Sequence, residues 1–183
     1  MILGLDVSTT TTGFCLLNSE NEILSLGYIP LAKYKDLCIK GQNVKLILSD
    51  LIKKYKIDFV YIEAPFERYS RGMSSAKTIT RLASFNGIVQ YICFDTLGIN
   101  PCMLTVHESR RMCGIKTLSK KKAGKDVKEQ VFEEVTKRIK YNWPTKTLKS
   151  GPRKGQTIII NESRDMADAW VIASAGFVKS QFL

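Results

Sequence analysis

Four carboxylates stand where unpaired charge is unfavourable. Asp6 falls in the apolar run 2–7, and Glu63 closes the apolar run 57–62. Asp165 and Asp168 lie three residues apart, a spacing that puts both on one face of a helix. A carboxylate in a buried strand is costly unless it is paired or bound to a metal. A strand ending in Asp beside a strand ending in Glu delivers both side chains to the carboxyl edge of a sheet, where open α/β sheets hold ligands. Adding a helical Asp gives an all-oxygen donor set suited to a hard cation, Mg²⁺ or Mn²⁺. Without a cation the carboxylates repel one another. Taken singly, each reads equally well as a helix cap or as the partner of one of the many lysines; taken together they favour metal.

The elements that must position these groups follow from periodicity. Runs 2–7, 13–17 and 23–29 predict three strands, the last two joined by Asn18-Ser19-Glu20-Asn21, which has hairpin composition. Helical spacing of apolar residues predicts a helix over 44–52, then a fourth strand over 57–62 stopped by Ala64-Pro65. A long helix is expected over 74–97, capped by Ser74 or Ser75. Its apolar residues Ile79, Leu82, Phe85, Ile88, Val89, Ile92 and Cys93 cover more than half the circumference, so a second helix or another subunit must cover it. A fifth strand over 102–106, a basic amphipathic helix over 125–140 and an apolar helix over 164–178 complete the order βββαβαβαα. His107, the only histidine, is expected to begin a helix after the fifth strand. The expected class is α/β, a mixed five-stranded sheet with helices on both faces.

The charge is uneven. Lys and Arg number 28 against 17 Asp and Glu, a formal net charge of +11 over 183 residues. Between His107 and Ile160 there are 15 basic residues against five carboxylates, so nearly the whole excess sits in that stretch. Lys120-Lys121-Lys122 and the segment from Lys146 to Gly155, with Lys149, Arg153 and Lys154, are expected to be mobile basic loops that contact phosphates of a polyanion. No domain boundary is evident. No apolar run approaches the ~20 residues of a membrane span, and no basic signal region opens the chain, so a cytoplasmic protein that contacts no membrane is expected. Five cysteines without C-x-x-C spacing predict free thiols, several of them core filler.

Leu3-Gly4-Leu5-Asp6-Val7-Ser8, Ile62-Glu63-Ala64-Pro65-Phe66, Lys128-Glu129-Gln130-Val131 and Asp165-Met166-Ala167-Asp168-Ala169 resemble, in order, the signature segments of RuvC-type Holliday junction resolvases. The resemblance spans most of the chain. It implies a ribonuclease H-like fold over a single nuclease domain, residues 1–183. It further implies a homodimer, no small-molecule cofactor, and two Mg²⁺ or Mn²⁺ ions per active site that cut symmetrically across a four-way DNA junction in a bacterial or phage-infected cell. Residue by residue, Asp6, Glu63, Asp165 and Asp168 match the metal-binding carboxylates, Asp165 less firmly than Asp168. Phe66 matches an aromatic that stacks on exposed bases, and Lys128 a basic residue near the active site. Lys122 and Lys125 lie near enough in sequence to Lys128 to serve the substrate side.

Two departures mark a divergent, phage-like relative. The stretch 141–162 is longer and more basic than the family pattern, and the segment after Glu63 carries Arg68 and Arg71, further candidate phosphate contacts. A nuclease of broader branched-DNA specificity and a non-catalytic junction-binding protein are the alternatives; intact carboxylates at all four positions argue against the second. Asp6-Val7-Ser8-Thr9-Thr10-Thr11-Thr12-Gly13 also resembles the first phosphate loop of sugar kinases and actin-like ATPases, but that fold needs two such domains, and 183 residues leave room for one.

Overall fold

Alternation along β1 (Ile2–Asp6) decides the layering. Leu3 and Leu5 join one core with Val44, Leu48, Phe85 and Val89, while Ile2 joins Ile172 and Ala175 in another on the opposite face. The computed structural model describes residues 1–65 and 75–182. Its main sheet runs in the order β3 (Ile23–Pro30), β2 (Thr11–Leu17), β1, β4 (Phe59–Glu63), β5 (Cys102–Leu104). β1 is antiparallel to β2 and parallel to β4, which is parallel to β5. Helices α1 (Leu37–Ile52) and α2 (Ala76–Leu97) cover the Leu3–Leu5 face. The other face carries α3 (Val106–Met112), α5 (Val127–Arg138) and α6 (Ser163–Ser180), with the one-turn α4 (Lys120–Ala123) between α3 and α5. This is the α/β architecture expected, with helices on both faces.

α6 is apolar for most of its length because it lies directly on the sheet. A Cβ at Gly4 would come within 2.4 Å of the Ala173 amide nitrogen, and one at Gly176 within 2.2 Å of the Tyr61 ring. Glycine is required at both positions by the closeness of helix and sheet.

The structure corrects several local expectations. α1 begins at Leu37, not 44, with Asp36 accepting from the Ile39 amide at 3.0 Å. Gly41 and the polar residues beside it obscure the periodicity, yet Gly41 is where Ile88 and Ile92 of α2 press against α1. The fifth strand stops at Leu104, because Thr105 and Glu108 form a capping box that starts α3 and places His107 in its first turn. The segment 120–122 is helical. The stretch 146–155 belongs to an ordered antiparallel hairpin, β6 (Thr145–Thr147) with β7 (Thr157–Ile159), and is not a loop without structure. Ser75 is the cap of α2; Ser74, Phe66, Arg68 and Arg71 lie outside the described residues. All five cysteines are free thiols, with Cys15 and Cys93 buried. Among the described residues, no helix is long and apolar enough to cross a membrane.

Candidate metal centre

The parity that sends Leu5 and Ile62 into the α1–α2 core sends Asp6 and Glu63 to the opposite face, toward α6. Leu5 pairs with Ile62 across the parallel β1–β4 ladder, so Asp6 and Glu63 stand one step further on, side by side at the carboxyl edge. The first turns of α6 bring Asp165 and Asp168 to the same edge. They come close because Asp6 pairs with Gly13, and a Cβ at Gly13 would meet the Asp165 carbonyl oxygen at 2.1 Å.

The ammonium of Lys128, in the first turn of α5, sits among the carboxylates. It donates to Asp165 Oδ1 at 2.6 Å and lies 3.5 Å from Asp168 Oδ2 and 3.8 Å from Asp6 Oδ2. Asp6 and Asp168 are 7% and 8% exposed, and Asp6 Oδ2 has no hydrogen-bond partner among the described residues. Burial pushes the Asp6 carboxyl well above its ordinary value, and the charges of Asp168 and Glu63 push it further. Burial and Asp168 raise Glu63 to about 7, against the pull of Lys128 and Arg110. Burial raises Asp168 as well, with Lys128 and Arg110 opposing. Burial alone would lower the Lys128 ammonium; Asp6, Asp168 and Asp165 together outweigh it and hold the amine protonated above lysine's usual range.

The residues therefore fit a divalent cation. The donors are all oxygens, one buried carboxylate oxygen is unsatisfied, and the negative charge exceeds what one half-exposed ammonium neutralises. Among the described residues no three such side chains are closed up to metal-ligand spacing; the carboxylates stand around Lys128 instead. The carboxylates on which the metal reading rests are, in this structure, partners of Lys128.

The other predicted residues lie apart. Lys120 pairs with Asp126 at 2.9 Å and Lys125 with Glu133 at 2.6 Å, both at the surface, while Lys121 and Lys122 extend from α4 into solvent. Lys149, Arg153 and Lys154 sit at the tip of the β6–β7 hairpin. Sequence reasoning missed three supports. Buried Asn86 of α2 donates to the Glu63 carbonyl at 3.0 Å and is itself held by Gln90 at 2.8 Å. Buried Lys40 donates to the Leu31 carbonyl at 3.0 Å and to the Thr9 carbonyl, securing the turn that follows Asp6. The positive charge of Arg110, on α3, acts on Glu63 and Asp168 and favours their ionised forms. Asn86 was legible only as a polar residue in an otherwise apolar stretch, and Lys40, followed by Gly41, Gln42 and Asn43, carried no signal.

No family model matches the sequence. Over 69 residues the chain is 42% identical to a crossover junction endodeoxyribonuclease RuvC of Christiangramia forsetii, covering 36% of each protein. Over 99 residues it is 30% identical to the protein of that name from Aliarcobacter butzleri, covering 53% of this chain and 61% of the relative. The matches therefore span between about a third and three-fifths of these relatives' lengths. T. thermophilus RuvC, in complex with Holliday junction substrate, superposes with a TM-score of 0.61 over 99% of this chain and 94% of that one, at 14% identity. The yeast mitochondrial Holliday junction resolvase Ydc2 gives 0.53 over 100% and 84%, at 15% identity. At these identities the structural likeness establishes the fold, which is ribonuclease H-like.

Proposed function

We propose, from its kinship in sequence and fold with the RuvC-type Holliday junction resolvases, that this chain is a metal-dependent endonuclease. In this reading residues 1–183 form one nuclease domain that nicks four-way DNA junctions symmetrically as a homodimer, in the cytoplasm of a bacterial or phage-infected cell. The observation that carries it is the convergence of Asp6, Glu63, Asp165 and Asp168 at one sheet edge around a single ammonium. These four carboxylates would hold two Mg²⁺ or Mn²⁺ ions, whose chemistry is activation of a water and neutralisation of the leaving oxygen at a phosphodiester.

The chain's own residues do the rest. Asn86 and Gly13 fix the backbone of Glu63 and Asp165, so the carboxylates are set before substrate arrives. Lys128, 54% exposed, and Arg110 present positive charge to the scissile phosphate. Lys120, Lys121, Lys122 and Lys125 form a basic rim beside α5, and Phe66, Arg68 and Arg71, which follow Glu63 in sequence, meet the exposed bases and phosphates near the crossover.

The test is cleavage of end-labelled four-way, three-way and linear DNA with Mg²⁺, with Mn²⁺ and with chelator. Paired symmetric nicks in the four-way junction, dependent on metal, are expected. No cleavage with either ion would overturn the reading, as would equal cleavage of linear duplex.

A further inference from the structure

The β6–β7 hairpin is an ordered, highly basic ribbon separate from the carboxylate site. Between Tyr141 and Glu162 there is no carboxylate, while Lys146, Lys149, Arg153 and Lys154 are all exposed and form no ion pair among the described residues. The ribbon is held at both ends. At its base Trp143 packs edge-on against Phe132 of α5 with ring centroids 4.9 Å apart and against Tyr141 at 5.2 Å, and the Tyr141 hydroxyl donates to the Leu26 carbonyl at 2.9 Å. The Ile160 amide donates to the Pro144 carbonyl at 3.0 Å. At the tip the ladder continues past the strands, Leu148 with Gln156 at 2.9 Å, and Gly151 and Gly155 take positive φ to close the turn.

From Pro144 to Leu148 is four residue steps along and just beyond β6, roughly 14 Å at ~3.4 Å per step. The cations at the tip are thus carried well beyond the aromatic base, while the strand after the tip leads straight into α6 and its Asp165 and Asp168. Four cations with no ion pair among the described residues, on a two-stranded ribbon with exposed Thr145, Thr147 and Thr157, match a double-helical phosphate backbone, which a β-ribbon of this width can follow.

We infer that the β6–β7 hairpin is a second DNA-contacting arm that grips the phosphate backbone of duplex DNA away from the scissile position. The choice of DNA as the polyanion rests on the nuclease reading above. The hairpin's task is to hold a duplex arm, so its contribution is present on linear and branched DNA alike.

The experiment compares two triple variants that remove the same charge, Lys149→Ala/Arg153→Ala/Lys154→Ala at the tip and Lys53→Ala/Lys54→Ala/Lys56→Ala in the exposed segment that follows α1. Binding of the full chain to a linear duplex is measured against salt in chelator, with thermal denaturation to verify that both variants are folded. The tip variant should lower the slope of log affinity against log salt by about 2.7, near 0.9 per lost phosphate contact, and the α1 variant should leave it unchanged. Equal slopes for the two variants overturn the inference. Because binding is read without metal, the outcome is independent of cleavage. A wild-type chain that fails to nick junctions but shows the tip-dependent slope defeats the resolvase reading and leaves the hairpin standing.

Discussion

The α-carbon of Gly13 abuts the carbonyl of Asp165, so closely that a single added methyl would come within 2.1 Å of that oxygen. Gly13 is the ladder partner of Asp6, so one contact sets the distance between the strand and the helix that supply the site. Backbone cannot move aside as a flexible side chain can. Gly13→Ala should cost about 1–3 kcal/mol in stability and reduce junction nicking far more than it reduces junction binding. Denaturant unfolding and a single-turnover nicking assay check this; wild-type nicking by a folded variant would show that α6 tolerates displacement.

Asp6→Asn, Glu63→Gln and Asp168→Asn should each abolish nicking and leave junction binding intact or tighter, with Asp165→Asn milder. They should also change how stability depends on pH. The folded chain holds Glu63 near 7 against an ordinary 4.5, and Asp6 and Asp168 are raised too, so between these values the native state binds more protons than the unfolded one. Stability of the metal-free protein therefore falls as pH rises through that window. Mg²⁺ or Mn²⁺ should reverse the loss at the upper end, and Glu63→Gln should flatten the profile. Thermal midpoints from pH 4.5 to 8, with ion and with chelator, measure it; a midpoint that climbs with pH in chelator contradicts the assignment.

Lys128 is the counter-charge of the metal-free site, bonded to Asp165 and near Asp168 and Asp6. Lys128→Met should lower the thermal midpoint in chelator at neutral pH, where the carboxylates lose their ammonium. Divalent ions should restore most of that loss while nicking stays impaired. If the midpoint drops equally with and without ion, Lys128 is a packing residue and not a counter-charge.

α1 covers Ile88 and Ile92 of α2 at Gly41 but leaves Tyr91 and Phe94 65% and 52% exposed. This uncovered face is expected to pack against its mate across a two-fold axis. Sedimentation should give a dimer at micromolar concentration and a monomer for Tyr91→Glu/Phe94→Glu. A wild-type monomer, with or without junction DNA, would refute the assembly.

Sequence alone determined the five strands of the main sheet, the long helices α2, α5 and α6, and where along the chain the four carboxylates fall. Each is a local property: apolar period, cap residues, or charge in a run that otherwise excludes it. The resemblance put Lys128 near the active site, but sequence did not reveal which carboxylates its ammonium would pair with, because Asp165 is 37 residues away along the chain and α5 meets α6 only through packing. Nor did it reveal that 146–155 is ordered: a ribbon held by Trp143, Tyr141 and two positive-φ glycines has the composition of a loop. Tertiary structure decided these because close approach of backbone to backbone, as at Gly13 and Gly4, depends on the sum of many distant contacts and leaves only a glycine in the sequence to mark it.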